Sequence, residues 1–260
     1  MTSIRYEVRD GAAYLTLCQP DRGNPVDLAM AKDLVDAVGR ARSDGVRVVV
    51  LDHEGKAFSV GGDISAFGAA EDPSALITEL ANILHEGVLG LTQLDAIVVS
   101  VVRGTAAGAG FPLAAAADVV LASSAARFVL AYTKIGLTMD GGSTLLTTTV
   151  GLHRMLQWAL LNPVLSAADL QAVGVVSQVS APEELDGAVE KVVAQLLAGS
   201  HDAQVAVKHL LRTKVAADAA AALDRETELI AAAAGTPDGR EGFSAFLDKR
   251  APQFPSSGGR

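Results

Sequence analysis

Two short glycine-bearing stretches constrain this chain more than any other feature: FSVGGDI at residues 58–64 and GTAAGAG at residues 104–110. Each follows a run rich in β-branched residues, VRVVVL at 46–51 and IVVSVV at 97–102, as expected of strands covered on both faces. Each precedes a stretch with helical spacing. Glycines at a strand-to-helix junction let the backbone approach another group closely and leave N–H groups free at the helix start. Such free N–H groups attract negative charge. Taken alone, Gly61-Gly62-Asp63 reads first as an ordinary turn with a capping Asp. The second stretch has the spacing GxxxGxG, not the GxGxxG of a dinucleotide loop, and no acidic residue follows where a ribose would need one.

The remaining pattern is mixed α/β. Residues 4–8 and 12–17 alternate about Asp10-Gly11 and predict a β-hairpin. Asp27 can cap a helix from Leu28 to about Arg42, and Pro73-Ser74 opens another to about Leu94. Residues 53–62 read as a loop, 111–117 as a helix, and 119–122 and 127–129 as short strands. From about Gly141 the spacing is mainly helical, at 141–150, 153–161, 166–173, 183–198, 202–212, 216–234 and 238–249, with one strand near 175–179. The tail from Phe254 is rich in Pro, Ser and Gly and is expected to lack order. The first half thus repeats strand, strand or loop, then helix, units that must stack to bury their apolar faces.

Composition narrows the function class. Asp and Glu number 30 against 21 Lys and Arg, a net charge of −9 that argues against nucleic acid or anionic lipid as partner. A single cysteine, Cys18, excludes an internal disulfide and argues against a cysteine-based metal site. Neither a signal-peptide core nor an apolar run of membrane-spanning length is visible, so the expectation is a cytoplasmic protein with no membrane partner. There is no GxSxG elbow. His53, His153, His201 and His209 show no ligand spacing, and no metal site is expected.

The two stretches together resemble those of the crotonase (enoyl-CoA hydratase/isomerase) superfamily: Phe58, Ser59, Gly61, Gly62, Asp63, then Gly104, Gly108, Ala109, Gly110 and a following Asp118. The resemblance extends to Gln19–Asn24, to Leu165-Ser166-Ala167 with Gly174-Val175-Val176, and to the closing GFSAFLDKRAP at 242–252. It implies an α/β spiral of repeated ββα units over residues 1–200, carrying an acyl-CoA site, and a C-terminal helical region at 201–260 used for trimerisation. A homotrimer, or a hexamer of two trimers, is implied. Coenzyme A enters as part of the substrate, with no further cofactor. The N–H groups of Gly62 and Ala109 correspond to the family's oxyanion hole, where losing one donor typically costs about 10²–10³ in rate. Arg22, Gly61, Asp63, Phe246 and Lys249 become candidate contacts to the CoA portion.

The same resemblance separates reactions. Hydratases carry glutamates where this chain has Pro112 and Tyr132. Proline transfers no proton, and a tyrosine with an ordinary pKa near 10 is a poor base at neutral pH. Asp140, in KIGLTMDGG, resembles the Asp of phenylacetyl-CoA-epoxide isomerases, dienoyl-CoA isomerases and chlorobenzoyl-CoA dehalogenases. His85, on the helix opened by Pro73, matches a His of the dehalogenase branch, with an aromatic where Tyr132 stands. The leading expectation is an isomerase-type proton shuttle on an enoyl thioester through Asp140. The alternatives are a hydratase, a hydrolase or dehalogenase using Asp140 as nucleophile, and a non-catalytic acyl-CoA-binding paralogue. Phe67, Leu84, Val88, Phe111 and Tyr132 are expected to wall the acyl pocket.

Overall fold

The computed structural model describes residues 2–216 and 218–257. β1 (Ile4–Arg9) and β2 (Ala12–Leu17) form the expected hairpin, turning through Asp10 at φ 50° and Gly11 at φ 84°. Both positive angles match the hairpin turns whose twist suits the strands. α1 (Leu28–Ser43) is capped by Asp27, whose carboxylate accepts the Met30 N–H at 2.9 Å. β3 (Val48–His53) is followed by β4 (Ala57–Ser59), a strand within the stretch read as loop. Then come α2 (Ile64–Ala69) and α3 (Pro73–Thr92), capped by Asp63 and Asp72.

The unit repeats with β5 (Ile97–Val102), β6 (Thr105–Ala107) and α4 (Gly110–Ala115), then β7 (Val119–Ser123) and β8 (Arg127–Val129). Helical turns follow at Tyr132–Ile135 and Ser143–Leu146, then α5 (Thr147–Val150) and α6 (Leu152–Leu161). The single helix expected over 141–150 is therefore a 3-10 turn and one α turn, entered through Gly141 and Gly142 at positive φ. β9 (Leu165–Ser166), α7 (Ala167–Ala172) and β10 (Gln178–Ser180) precede α8 (Leu185–Ala198), α9 (His201–Ala216), α10 (Ala219–Ala234) and α11 (Pro237–Leu247). The tail departs from expectation. Pro255–Ser257 form a 3-10 turn, and the Ser256 N–H donates to Asp238 Oδ1 at 3.0 Å. Residues 258–260 lie outside the described ones.

Two sheets organise the core. The larger has the order β1-β2-β3-β5-β7-β10, parallel except for the first pair. Val48–Leu51 and all of β5 are buried, as double coverage requires. The smaller sheet has the order β4-β6-β8-β9, with β4, β6 and β8 parallel. This second sheet positions the site. Parallel neighbours deliver their following loops to the same edge, so residues 60–63, 108–109 and 130–132 emerge side by side. Among the described residues no helix is long and apolar enough to cross a membrane.

Candidate active site

The two glycine stretches touch. Gly61 has φ +87°, and a Cβ there would lie 2.9 Å from Ala107 O and 3.2 Å from Gly108 Cα. A side chain would force the loops apart, so only glycine permits this approach. Ser59 Oγ accepts the Gly61 N–H at 3.1 Å and fixes the turn. The next residue, Gly62, and Ala109 across the gap both line a cavity of about 490 Å³. Among the described residues neither the Gly62 nor the Ala109 N–H donates to an acceptor in the protein.

Apolar side chains of Phe67, Ile77, Leu80, Leu84, Leu137 and Ile230 wall the cavity. Among the described lining residues the carboxylates are Asp63 and Asp140. Asp63 is committed: Oδ1 accepts the Ser65 and Ala66 N–H groups at 3.1 and 3.2 Å, and Oδ2 lies 2.7 Å from Arg22 Nη2. Asp140 is 6 % exposed. Its backbone oxygen accepts the Tyr132 hydroxyl at 2.9 Å and the Ser143 hydroxyl at 2.7 Å. Its Oδ1 lies 2.8 Å from His85 Nε2, although the ring is not turned to make this a well-directed hydrogen bond. Gly141, at φ +71°, brings this loop against the second glycine stretch, since a Cβ there would sit 3.0 Å from Ala109 Cβ.

Behind Asp140 stands a residue the sequence reading missed. Glu226 of α10 is 3 % exposed, and its Oε2 lies 3.6 Å from His85 Nε2. The same Oε2 accepts the Gly142 N–H at 2.8 Å, and Oε1 accepts the Thr144 N–H at 2.6 Å. His85 Nδ1 lies 3.2 Å from the Thr227 hydroxyl. A signal for Glu226 existed: it falls three residues after Leu223 and four before Ile230, both buried, on the apolar stripe of its helix.

Electrostatics follow from this arrangement. Burial lowers the His85 pKa, but contact with Asp140 and Glu226 outweighs it and raises the value to about 9. The Tyr132 phenol is raised well above its ordinary value, chiefly by burial and then by the charges of Asp140 and Glu226. Tyr132 is therefore a hydroxyl donor at this position. His85, Asp140 and Glu226 form a donor set of the types that hold metals, with ligand atoms within 4.8 Å of one another. Two ligands on one tetrahedral zinc stand about 3.3 Å apart at ordinary bond lengths. His85 Nε2 and Asp140 Oδ1, 2.8 Å apart, are closer than two such ligands.

Other expected contacts are distributed unevenly. Arg22 lines the cavity mouth, but its guanidinium is paired with both Asp27 at 2.9 Å and Asp63 at 2.7 Å. Phe246 also lines the mouth and is 57 % exposed. Lys249 follows the end of α11 at φ +53°, outside the lining residues, whereas Lys134, not singled out by sequence, is among them. Of the expected pocket wall, Phe67, Leu84 and Tyr132 line the cavity. Phe111 does not: it is fully buried against Phe128 and Trp158 at ring distances of 5.3 and 6.1 Å. Val88 instead faces a separate space beside Gly142. Pro112, at the hydratase glutamate position, is buried in α4.

Comparison with known proteins agrees with the fold. The family model described as enoyl-CoA hydratase/isomerase matches residues 7–257. The chain belongs to this crotonase family. It is 32 % identical to the trans-2-decenoyl-[acyl-carrier-protein] isomerase of Streptococcus mutans, over 96 % of this chain and 97 % of the relative. It is 33 % identical to the 1,2-epoxyphenylacetyl-CoA isomerase of Escherichia coli, over 98 % of each chain. A crystal structure of an enoyl-CoA hydratase from Mycobacterium avium subsp. paratuberculosis superposes with a TM-score of 0.89 at 34 % identity, covering 97 % of this chain and 98 % of that one.

Proposed function

We propose that this member of the family isomerises an unsaturated acyl thioester by moving a proton through Asp140. The observation that carries the reading is the inequality of the two cavity carboxylates. Asp63 is bound on both oxygens, whereas Asp140 Oδ2 has no partner among the described residues. In this mechanism the thioester carbonyl accepts the N–H groups of Gly62 and Ala109. Asp140 takes a proton from the carbon beside the carbonyl. The electron pair passes into a dienolate whose oxygen those two N–H groups stabilise. Asp140, whose acidic proton can exchange with solvent before delivery, then returns a proton at the far end of the conjugated system. The double bond moves and no water is added.

Two features favour isomerisation over hydration. Among the described residues no glutamate lines the cavity, and the aromatic at the second hydratase position donates its hydroxyl to the Asp140 carbonyl. Positioned acid/base catalysis of this kind is worth about 10²–10⁴-fold. The aliphatic wall suits a hydrocarbon acyl group. The test is incubation with 3-enoyl-, 2-enoyl- and phenylacetyl-type CoA thioesters in D₂O, read by mass spectrometry. A shifted double bond with deuterium gain and no added water is the expected result. Addition of water would overturn the reading. Thioester binding with no conversion of any substrate would replace it with a non-catalytic role.

A further inference from the structure

We propose that Glu226 is a positioning residue that keeps His85 protonated and facing Asp140 while pinning the loop on which Asp140 sits. The inference rests on Asp140 as the reactive carboxylate, and adds the reason for its surroundings. Three elements far apart in sequence meet at this point: α3 brings His85, the loop before Ser143 brings Asp140, and α10 brings Glu226 and Thr227.

The two nearby carboxylates, not the hydrogen-bond inventory, decide the charge. His85 Nε2 lies 2.8 Å from Asp140 Oδ1 and 3.6 Å from Glu226 Oε2, and a bare nitrogen lone pair that close to two carboxylates would be repelled, so Nε2 carries a hydrogen. Nδ1 is left to choose. The Thr227 hydroxyl at 3.2 Å can donate to a bare nitrogen or accept from an N–H, and so serves either state. One carboxylate would balance one imidazolium. The second, Glu226, tips the ring toward the charged form. The titratable groups facing His85 are these two carboxylates, with the Tyr132 phenol beyond Asp140. From α1, on another face of α3, the neighbours are apolar: Leu34 packs at Gly87 and Val38 at Gly90. The charged contact between those helices, Lys32 to Glu79 at 3.7 Å, is exposed and near the start of α3. Glu226 also holds Gly142 and Thr144, two and four residues beyond Asp140, through their backbone N–H groups. One side chain thus sets both the position of the reactive carboxylate and the charge of the group beside it.

The direct test is ring-nitrogen NMR of His85, which needs no substrate and therefore stands or falls apart from the isomerase reading. In the wild-type protein at pH 7 both ring nitrogens should be protonated, with titration near pH 9. Glu226→Gln keeps the volume and an acceptor for Thr144, and should lower that titration by about 1–3 units, the usual effect of removing one nearby opposite charge. A neutral ring in the wild type at pH 7 would overturn the proposal without any variant. So would a Glu226→Gln protein that folds and titrates unchanged, since Glu226 would then be a loop clamp alone. Where turnover is measurable, its pH profile in Glu226→Gln should shift to lower pH on the limb set by His85, and an unshifted limb would likewise count against it.

Discussion

The mouth and the floor of the cavity use the same device in opposite settings. At the mouth Arg22 stands between Asp27 and Asp63, at 2.9 and 2.7 Å. Beneath the floor, which Asp140 lines, His85 stands between Asp140 and Glu226, at 2.8 and 3.6 Å. Each is one cation-forming group between two carboxylates. The Arg22 side chain is 49 % exposed, and a guanidinium stays charged throughout the accessible pH range. Its ion pairs are screened and serve to brace a turn. His85 is 5 % exposed and its charge depends on its two partners. Burial and a titratable centre thus separate a brace from a group that can respond to chemistry.

Three changes would sharpen or break that contrast, taken here from the largest effect to the smallest. Asp140→Asn on the floor should lower turnover by about 10²–10⁴, with substrate binding nearly unchanged. Ala109→Pro deletes one of the two free N–H groups at a φ of −61° that proline accepts, and should lower turnover by about 10²–10³. Circular dichroism should verify that the variant folds. At the mouth, Arg22→Ala should change stability by no more than about 1 kcal/mol and affect ligand affinity more than turnover. A turnover loss at Arg22 as large as that at Asp140 would erase the distinction between the two regions.

A pH prediction follows with a definite sign. The folded-state pKa of His85 is raised, from an ordinary value of 6.5 to about 9. Its protonation therefore stabilises the fold fully below about pH 6.5, and that contribution is lost as pH rises through about 9. A shift of that size corresponds to roughly 3 kcal/mol. Urea unfolding of the wild type and of His85→Asn at pH 6 and pH 9.5 measures it. The stability gap between the two proteins should narrow at the higher pH; a gap that is constant or widens would contradict the account.

Much of the scaffold was legible because its signals are local. The Asp27 cap, the Asp10-Gly11 turn and the buried run of β5 each sit within a few residues of what they determine. The second sheet was not legible in the same way. β4 and β6 have three residues each and lie within glycine-bearing stretches, so composition read them as loop. The glycine stretches could be picked out because close backbone approach needs glycines at set places, and the roles expected of them came from the family resemblance. Glu226 could not, since it sits 86 residues beyond Asp140 on an alanine-rich helix, and only packing of α10 on α3 brings it to His85. Phe111 was misplaced for a related reason. Sequence puts it beside Ala109 and Gly110, but α4 turns its ring toward Phe128 and Trp158, away from the cavity.

The most direct test of the central claim is single-turnover conversion of a 3-enoyl-CoA thioester by the wild type and by Asp140→Asn, with thioester binding measured separately. The account predicts a shifted double bond in the wild type, a rate lower by at least about 10² in the variant, and equal binding. Equal rates in the two proteins would show that the proton travels by another group and would contradict it.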